Sequence, residues 1–298
     1  MKMDENIELT IVTWFRNSVT TLGNELLVKV LQSIEKVIPD EIVHEKIAID
    51  DHSTDDTSHF FEKFEWKVIR NTGRGIASAF NLAMSLAKTP LVLCVEHDII
   101  LSKCWYDTIS KYISLLMKCR KIVALQGVNV FVARSKAVGN LEYLKQLIHL
   151  QYGEVLPNIN STFFNRDLVN RYLLPVPTKL TYGAVDGYLY IKAVKRGLKW
   201  YIIPSAKTIH LWIHIGVREY INKMRIYAKM ISNMYPYLGR ELGMIYPLTK
   251  RQIRNKTRKH IDMLRSLIVN SINSIPLHVA SIITYSLHNL HALRLRLP

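Results

Sequence analysis

Acidic residues and cysteines are the scarce groups in this 298-residue chain. It has 24 Asp and Glu against 40 Lys and Arg, a formal net charge of +16. Its three cysteines, Cys94, Cys104 and Cys119, are odd in number and spaced unlike a disulfide framework or a zinc site. We therefore expect a reducing environment. The basic excess favours a polyanionic partner, such as nucleic acid, anionic lipid or a phosphate-bearing ligand.

Two kinds of apolar segment are also missing. The first residues, "MKMDENIELT", carry acidic groups where a secretory signal peptide has a basic start and an apolar stretch. We therefore expect a cytoplasmic protein. After Arg265 no charged residue follows until Arg294, but Asn, Pro and His interrupt this segment. A spanning helix needs about 20 predominantly apolar residues, so we do not expect one here.

The last third of the chain has a helical and basic character. Seven Lys and Arg lie between Lys250 and Arg265 with one acidic residue among them, and apolar residues recur at helical spacing on either side of Pro276. Two interpretations stay open for this apolar face. It either packs on the rest of the protein or lies on an anionic membrane surface as a peripheral anchor.

Between about Leu9 and Tyr201, short apolar runs alternate with helical patterns. This order predicts an α/β protein with a mostly parallel sheet flanked by helices. We expect a catalytic domain over residues 1–215 and a basic helical extension over 216–298. Six segments are predicted as strands: "ELTIVTWF", "EKIAIDD", "WKVIRN", "PLVLCVEHD", "KIVALQGVNVFVA" and "KWYIIP". "TLGNELLVKVLQSIEKVIP" and "GIASAFNLAMSLAKTP" are predicted as amphipathic helices. Trp105, Trp200 and Trp212 are predicted as core residues.

The few acidic residues gather where predicted strands end. Asp50 and Asp51 follow one strand, and "EHD", Glu96 to Asp98, follows another. Asp186 opens a later helical pattern, and His210 follows "KWYIIP" after a short link. Ligands of an open α/β sheet bind beyond the carboxyl ends of its strands. Because like charges repel, a divalent cation between the carboxylates is the economical explanation. Oxygen ligands suit Mg²⁺ or Mn²⁺, and a histidine favours Mn²⁺.

Four stretches together resemble the inverting, nucleotide-sugar-dependent glycosyltransferases of family two. They are "IVTWFRN", "IDDHSTDDT", "NTGRGIASAFNLAMSLAKTPLVLCVEHD" and "TYGAVDGYLYIKAVKRGLKWYIIPSAKTIH". They occur in the family's order and spacing between about Leu9 and His210. The chain departs from the family pattern at Thr13, where proline is usual, at Glu96, where an Asp-x-Asp pair begins, and at Val185, where glutamate is usual.

The resemblance implies a GT-A fold, Rossmann-like and mostly parallel, and a set of site residues. Asp186 takes the position of the catalytic base, and Asp98 and His210 take the positions of ligands to Mn²⁺ or Mg²⁺; His214 is the weaker candidate for the histidine. Donor binding is assigned to eight positions: Thr13, Phe15, Asp50, Asp51, Asn71, Arg74, Glu96 and His97. Asp55 and Asp56 are interpreted as turn and helix-cap residues.

The implied reaction moves a sugar from a UDP- or GDP-sugar to a hydroxyl of a glycan, lipid or protein. A nucleotidyltransferase of related fold and a non-catalytic protein that binds nucleic acid or membranes stay open as alternatives. The first would need a glycine-rich, lysine-bearing loop near the first strand, which "TWFRNSVTTLG" lacks. No helix-turn-helix, zinc-finger or aromatic RNA-binding signature supports nucleic acid, so we do not expect that partner. The identity of the nucleotide, the sugar and the acceptor stays open.

Overall fold

The computed structural model describes residues 7–151, 156–180 and 184–238. Within them, eight strands form one sheet: β1 Leu9–Phe15, β2 Val43–Asp50, β3 Lys67–Arg70, β4 Leu91–Val95, β5 Ile99–Leu101, β6 Ile122–Ala133, β7 Ser161–Asn165 and β8 Lys199–Trp212. The helices are α1 Ser18–Leu22, α2 Asn24–Val37, α3 Thr57–Lys63, α4 Gly75–Leu86, α5 Trp105–Ile109, α6 Ile113–Lys118, α7 Lys136–Gln151, α8 Arg166–Tyr172, α9 Ala184–Lys195 and α10 Val217–Leu238. Two 3-10 helices span Asp40–Ile42 and Ser110–Tyr112.

The strand order is β3-β2-β1-β4-β7-β6-β8-β5. The predicted α/β class is confirmed, but the sheet is mixed. Four of the seven strand pairings are parallel, and three are antiparallel. The antiparallel pairings come from β7, which lies between β4 and β6, and from the three-residue β5 at the sheet edge. Neither strand was predicted, because both are short and lack a flanking pattern that separates them from loop.

The sheet is curled rather than flat. Three residues separate β4 from β5 in the chain, yet β5 lies four places from β4 in the sheet order. Four strand spacings in a flat sheet span about 19 Å. The chain from Val95 to Ile99 reaches at most about 15 Å. The sheet must therefore bend back toward β4, and the turn after β4 faces the concave side.

Alternating side chains of the strands face two cores, one on each side of the sheet. Val12 and Trp14 of β1 face the cluster that contains α4, α8 and α9. Ile11 and Phe15 face the cluster that contains α2, α5 and α6. Period-two alternation places successive residues of a strand on opposite faces. Both faces are covered, which explains why β1 and β4 are apolar almost throughout.

The predicted first helix is interrupted. α1 ends at Leu22, and Gly23 has a φ of 80°, a left-handed conformation that glycine adopts without a Cβ clash. α2 then begins at Asn24. Its buried apolar face consists of Leu27, Val30, Leu31 and Ile34. The apolar residues that recur at helical spacing across the two helices are nevertheless all buried or partly buried against the cores: Leu22, Leu26, Val30, Ile34 and Val37.

β8 extends beyond the proline at which we predicted its end. Its ladder with β6 runs to Gln126 and Ile202, and resumes at Val128 and Lys207. Residues 203–206, which include Pro204, form a bulge between the two parts, a position that tolerates the missing proline N–H. His210 consequently lies within β8, not in a link after it.

None of the described helices is both long enough and apolar enough to span a bilayer. Of the predicted extension, α10 packs on α9, and Met234 and Leu238 join the core beside it. The basic segment 250–265 and the amphipathic pattern around Pro276 lie outside the described residues. The boundary at residue 215 and the peripheral membrane contact stay predictions.

Candidate active site

A tight turn after β4 brings Asp98, a predicted metal ligand, and Glu96, a predicted donor-binding residue, to His210, the other predicted metal ligand. The N–H of Ile99 donates to the carbonyl of Glu96 at 3.1 Å, which closes a four-residue turn. The N–H of Leu211 donates to the carbonyl of Asp98 at 2.8 Å. Ile99 is also paired with His210 across β5 and β8. Backbone pairing therefore fixes Glu96, Asp98 and His210 side by side.

Glu96, Asp98 and His210 form what we call the acidic cluster. One ligand atom of each residue lies within 4.8 Å of those of the other two. His210 Nε2 lies 3.1 Å from Asp98 Oδ2, and the side chains are 8% and 17% exposed. Asp98 Oδ1 is buried and has no hydrogen-bond partner among the described residues. A buried carboxylate oxygen without a partner is costly, and a bound cation would satisfy it.

Polar and aromatic neighbours fix the ring of His210. Phe131 stacks on it with ring centroids 4.9 Å apart. Asn160 Nδ2 lies 3.3 Å from His210 Nδ1. Asn160 Oδ1 accepts from Asn129 Nδ2 at 3.0 Å, and Asn129 Oδ1 accepts from Thr208 Oγ1 at 2.7 Å. Hydrogen bonds of this kind orient a ligating imidazole. Sequence reasoning missed Asn160, Asn129 and Phe131, since only the fold brings them to His210.

The carboxylates of the acidic cluster have opposite pKa shifts. Burial and the negative charge of Asp98 raise the pKa of Glu96 to about 7, although His210 and a hydrogen bond from Trp14 Nε1 act against the shift. Burial also acts to raise the pKa of Asp98, but the charge and hydrogen bond of His210 bring it well below its usual range. In the absence of a cation, Asp98 therefore stays ionised, whereas Glu96 is partly protonated near neutral pH.

Asp186 lies in the first turn of α9, as predicted. Burial and the negative charge of Glu96 raise the pKa of Asp186 well above its ordinary value. The side chain is partly buried. The structure therefore brings Asp186 into electrostatic contact with the acidic cluster from a different element, 90 residues further along the chain than Glu96.

A second set of polar groups, which we call the Asp51 network, lies at the ends of β2 and β3. Asp51 Oδ1 accepts from Asn71 Nδ2 at 2.8 Å and from the N–H of Gly75 at 2.9 Å. Asn71 Oδ1 accepts from Ser78 Oγ at 2.8 Å. Asp51, Asn71, Gly75 and Ser78 thus join the end of β2 to the start of α4. This places Asp51 and Asn71, both predicted to bind the donor, in direct contact.

Of three further predicted donor residues, two are engaged with the protein itself and the third is buried. Asp50 Oδ1 accepts from the N–H of Ser53 at 2.7 Å, an interaction that shapes the turn after β2. Phe15 is 2% exposed and stacks on Phe61 with centroids 4.4 Å apart. Thr13 is 1% exposed, and its Oγ1 has no partner among the described residues. Donor contacts of these three residues stay predictions.

The remaining predicted residues are Arg74, His97 and His214. Arg74 is exposed and immediately precedes α4. His97 Nδ1 lies 2.9 Å from Ser18 Oγ of α1, and burial lowers the pKa of His97. His214 is exposed beyond β8, whereas His210 lies in the acidic cluster.

The buried state predicted for Trp105, Trp200 and Trp212 is confirmed, with at most 4% of each exposed. The predicted structural role of Asp55 also agrees with its contacts. Its carboxylate accepts from the backbone and side chain of both Thr20 and Thr57, which joins α1 to α3.

α10 adds a cation that sequence reasoning did not find. Lys223 Nζ lies 3.8 Å from the ring centroid of Trp212. Burial lowers the pKa of Lys223, while Asp98, Glu96 and Glu142 act against that shift. Lys223 lies in the segment predicted as an extension, and no motif marks it. The extension therefore contributes to the site instead of standing apart from it.

Comparison with protein families decides the class. The profile described as "Glycosyl transferase family 2" matches residues 10–163, more than half of the chain. The chain belongs to glycosyl transferase family 2. It is therefore a glycosyltransferase, and the family resemblance inferred from its motifs is confirmed. The nucleotidyltransferase and non-catalytic alternatives lose their support. Comparison with curated protein sequences gives no match.

Solved glycosyltransferases share the fold. A mannosyltransferase from Pyrobaculum calidifontis, solved with GDP-Man and Mn²⁺, is 15% identical, with a TM-score of 0.60 over 98% of this chain and 86% of that one. Mannosyl-3-phosphoglycerate synthase from Rubrobacter xylanophilus is 16% identical, with a TM-score of 0.53 over 78% and 75%. Glucosyl-3-phosphoglycerate synthase from Mycobacterium tuberculosis, solved with Mn²⁺, UDP-Glc and phosphoglyceric acid, is 16% identical, with a TM-score of 0.52 over 76% and 79%. Identities this low establish the GT-A fold alone.

Proposed function

We propose that this family-two glycosyltransferase is metal-dependent and inverting, and that it transfers a sugar from a UDP- or GDP-sugar to an acceptor hydroxyl. The observation that carries the proposal is the acidic cluster with its partnerless Asp98 Oδ1, together with an Asp186 near enough for the charge of Glu96 to raise its pKa. The relatives solved with GDP-Man and Mn²⁺ or with UDP-Glc and Mn²⁺ support the same class of donor and ion.

The acidic cluster suits a hard divalent cation. Its donor set is two carboxylates and one imidazole, which fits Mn²⁺ and is compatible with Mg²⁺. Asp98 and His210 are the proposed metal ligands. Glu96 either is a third ligand or accepts a hydrogen bond from the nucleotide-sugar donor. When bound, such an ion supplies the positive charge that stabilises a departing nucleoside diphosphate.

The Asp51 network is the proposed site for the base and ribose of the donor. The carboxylate of Asp51 is already oriented by Asn71 and the backbone of Gly75. A preorganised acceptor of this kind binds N–H and O–H groups without paying again for its own ordering. Arg74, Thr13, Phe15, Asp50 and His97 complete the proposed donor-binding set.

Asp186 is the proposed general base. Its raised pKa, caused by burial and by Glu96, makes the ionised form a stronger proton acceptor than an exposed aspartate. Asp186 takes the proton of the acceptor hydroxyl as that oxygen attacks the anomeric carbon and the bond to the diphosphate breaks. A single displacement of this kind inverts the anomeric centre. The acceptor is a glycan, a lipid or a protein; an already anionic phosphate acceptor would not need Asp186.

A panel of UDP- and GDP-sugars with Mn²⁺, Mg²⁺ or EDTA tests the proposal by release of nucleoside diphosphate, with NMR of the product anomer. We expect activity with a divalent ion, none with EDTA, and an inverted product. Asp98→Asn should remove most of the activity, and the activity that remains should not respond to Mn²⁺. Asp107→Asn, an exposed carboxylate on α5, is the matched control. Full turnover in EDTA, or a retained anomeric configuration, would contradict the proposal.

A further inference from the structure

His52, the residue after Asp51, has a backbone conformation that few residues other than glycine adopt. Its φ is 64°, in the left-handed region. The residue lies between β2 and α3, next to the Asp51 network. A strained residue persists only where its surroundings hold it, and such residues concentrate at functional sites. The strain at His52 is therefore expected to be offset by contacts of its side chain.

Both ring nitrogens of His52 have partners, and these partners fix the tautomer. Nε2 lies 2.9 Å from the carbonyl oxygen of Gly73, and Nδ1 lies 3.2 Å from both Nε and Nη2 of Arg70. A carbonyl oxygen only accepts a hydrogen bond, and a guanidinium only donates. Nε2 must therefore carry the proton and Nδ1 the lone pair. The neutral imidazole thus bridges the end of β3 and residues 71–74, which we call the 71–74 loop.

The 71–74 loop carries two of the predicted donor residues, Asn71 and Arg74. Asn71 is held by the hydrogen bonds of the Asp51 network. The side chain of Arg74 makes no hydrogen bond or ion pair among the described residues, so its position depends on the backbone that carries it. The bond from His52 to the carbonyl of Gly73 restrains that backbone one residue before Arg74.

We propose that His52 is a positioning residue for the donor nucleotide. Its imidazole ties the 71–74 loop to the end of β3, and so holds Arg74 in place beside the Asp51 network before the donor binds. This inference depends on the proposed function, since it takes Arg74 and the Asp51 network to bind the donor. Ordering the loop in advance removes an entropic cost from binding, so the benefit appears in affinity and not in the rate of the chemical step.

His52→Gly separates this role from a purely structural one. Glycine adopts the same φ without strain, which offsets the lost hydrogen bonds, so Tm should stay within about 4 °C of the wild-type value. Isothermal titration calorimetry with UDP and GDP in the presence of Mn²⁺ identifies the nucleotide that the wild type binds. His52→Gly should bind that nucleotide about threefold to tenfold more weakly. The KM for the sugar donor should rise by a similar factor, with kcat changed by less than about twofold.

Limited digestion with trypsin, which cleaves after arginine, reports on the 71–74 loop itself. In His52→Gly the bond after Arg74 should be cut about threefold faster or more, because proteolysis follows the population of the open segment. His52→Gln, whose side-chain amide has both a donor and an acceptor, should restore most of the affinity and the protection. Glu65→Gly is the matched control. Glu65 is exposed, has a φ of 60° and follows α3, so this substitution should leave both measurements unchanged.

Each contrary result has a defined meaning. Unchanged nucleotide affinity in His52→Gly would overturn the assignment while the proposed function stands. A loss of affinity without faster cleavage after Arg74 would also overturn it, because His52 would then contact the nucleotide itself. So would a His52→Gln variant no better than His52→Gly, since the two hydrogen bonds would then not carry the effect. If the wild type binds neither UDP nor GDP with Mn²⁺, the proposed function falls, and this inference falls with it.

Discussion

The Asp51 network and the acidic cluster lie at the same edge of one sheet but are built in opposite ways. In the Asp51 network, Asp51 Oδ1 and Asn71 Oδ1 both accept hydrogen bonds from neighbouring groups. In the acidic cluster, Asp98 Oδ1 has no partner among the described residues. The pKa of Glu96 is raised to about 7 by burial and by its like-charged neighbour.

These two halves of the proposed donor site, the Asp51 network and the acidic cluster, therefore differ in the kind of ligand group that each one binds. A hydrogen-bonded carboxylate is already in its working geometry and can bind neutral polar groups of a nucleoside. A buried pair of carboxylates is in an unfavourable state until a cation arrives. We therefore expect ligand recognition by the Asp51 network to be independent of metal, and recognition by the acidic cluster to require it.

The largest effect should come from Asp186→Asn, which removes the proposed base but neither half of the donor site. We expect kcat to fall about 10³-fold while the KM for the donor changes little, because general-base catalysis typically contributes about 10² to 10⁴. Steady-state kinetics with saturating Mn²⁺ measure both constants. A loss confined to KM would place Asp186 in donor binding instead.

Asp51→Ala and Asp98→Asn test the two halves against each other. Asp51→Ala should weaken nucleoside monophosphate binding about tenfold, with or without Mn²⁺, because it removes a charged acceptor. Asp98→Asn should leave monophosphate binding unchanged and should instead abolish the binding of Mn²⁺ itself. Calorimetry with UMP and GMP, with and without Mn²⁺, makes the comparison. Equal effects of the two substitutions would show that the halves are not separate.

The uncompensated charge of the acidic cluster should appear in the pH dependence of stability. The pKa of Glu96 rises from 4.5 to about 7 on folding, so its contribution is full below about pH 4.5 and is lost as the pH rises through about 7. In EDTA, the wild type should lose on the order of 3 kcal/mol relative to Glu96→Gln between about pH 5 and about pH 8. Urea unfolding at both values measures this difference.

Mn²⁺ gives the control for that measurement, since a bound cation favours the ionised carboxylate and should remove or reverse the trend. A difference between wild type and Glu96→Gln that stays constant with pH in EDTA would mean that Glu96 does not exchange a proton in this range.

The smallest effect should come from the carboxylate next to the Asp51 network that serves structure alone. Asp55→Asn replaces an acceptor shared by Thr20 and Thr57. We expect a loss of about 1 kcal/mol in unfolding free energy and no change in nucleotide affinity. Hydrogen bonds from Thr57 and Thr20 outweigh burial and lower the pKa of Asp55, so this contribution is present above about pH 3.8 and is lost as the pH falls through the folded-state pKa. A change in donor affinity would place Asp55 in the site.

The sequence was most informative where functional residues lie close together in the chain. The alternation of strands and helices predicted the fold class, and "IDDHSTDDT" and "EHD" each marked acidic residues that follow a strand end. These signals are local, because a strand end and the turn after it are contiguous. The partners of His210 were beyond such reasoning. Asn160 is 50 residues away and reaches His210 through β7, a strand inserted antiparallel into the sheet.

Lys223 was missed for a different reason. It follows the last recognised motif, and a lysine in a basic helix carries no pattern that separates a site residue from a solvated one. Only the packing of α10 beside β8 shows that this lysine lies on Trp212. The net charge of the C-terminal third therefore does not distinguish a site lysine from a solvated one.

The curl of the sheet has a mechanical consequence. Glu96 follows β4 and Asp98 precedes β5, and these two strands lie four places apart in the sheet order. An ion bound by Glu96, Asp98 and His210 would therefore link the central strand β4 to the edge strand β5. Binding of the ion would then stiffen the hydrogen-bonded ladder from β4 to β5, and amide exchange should slow in β8 and β5.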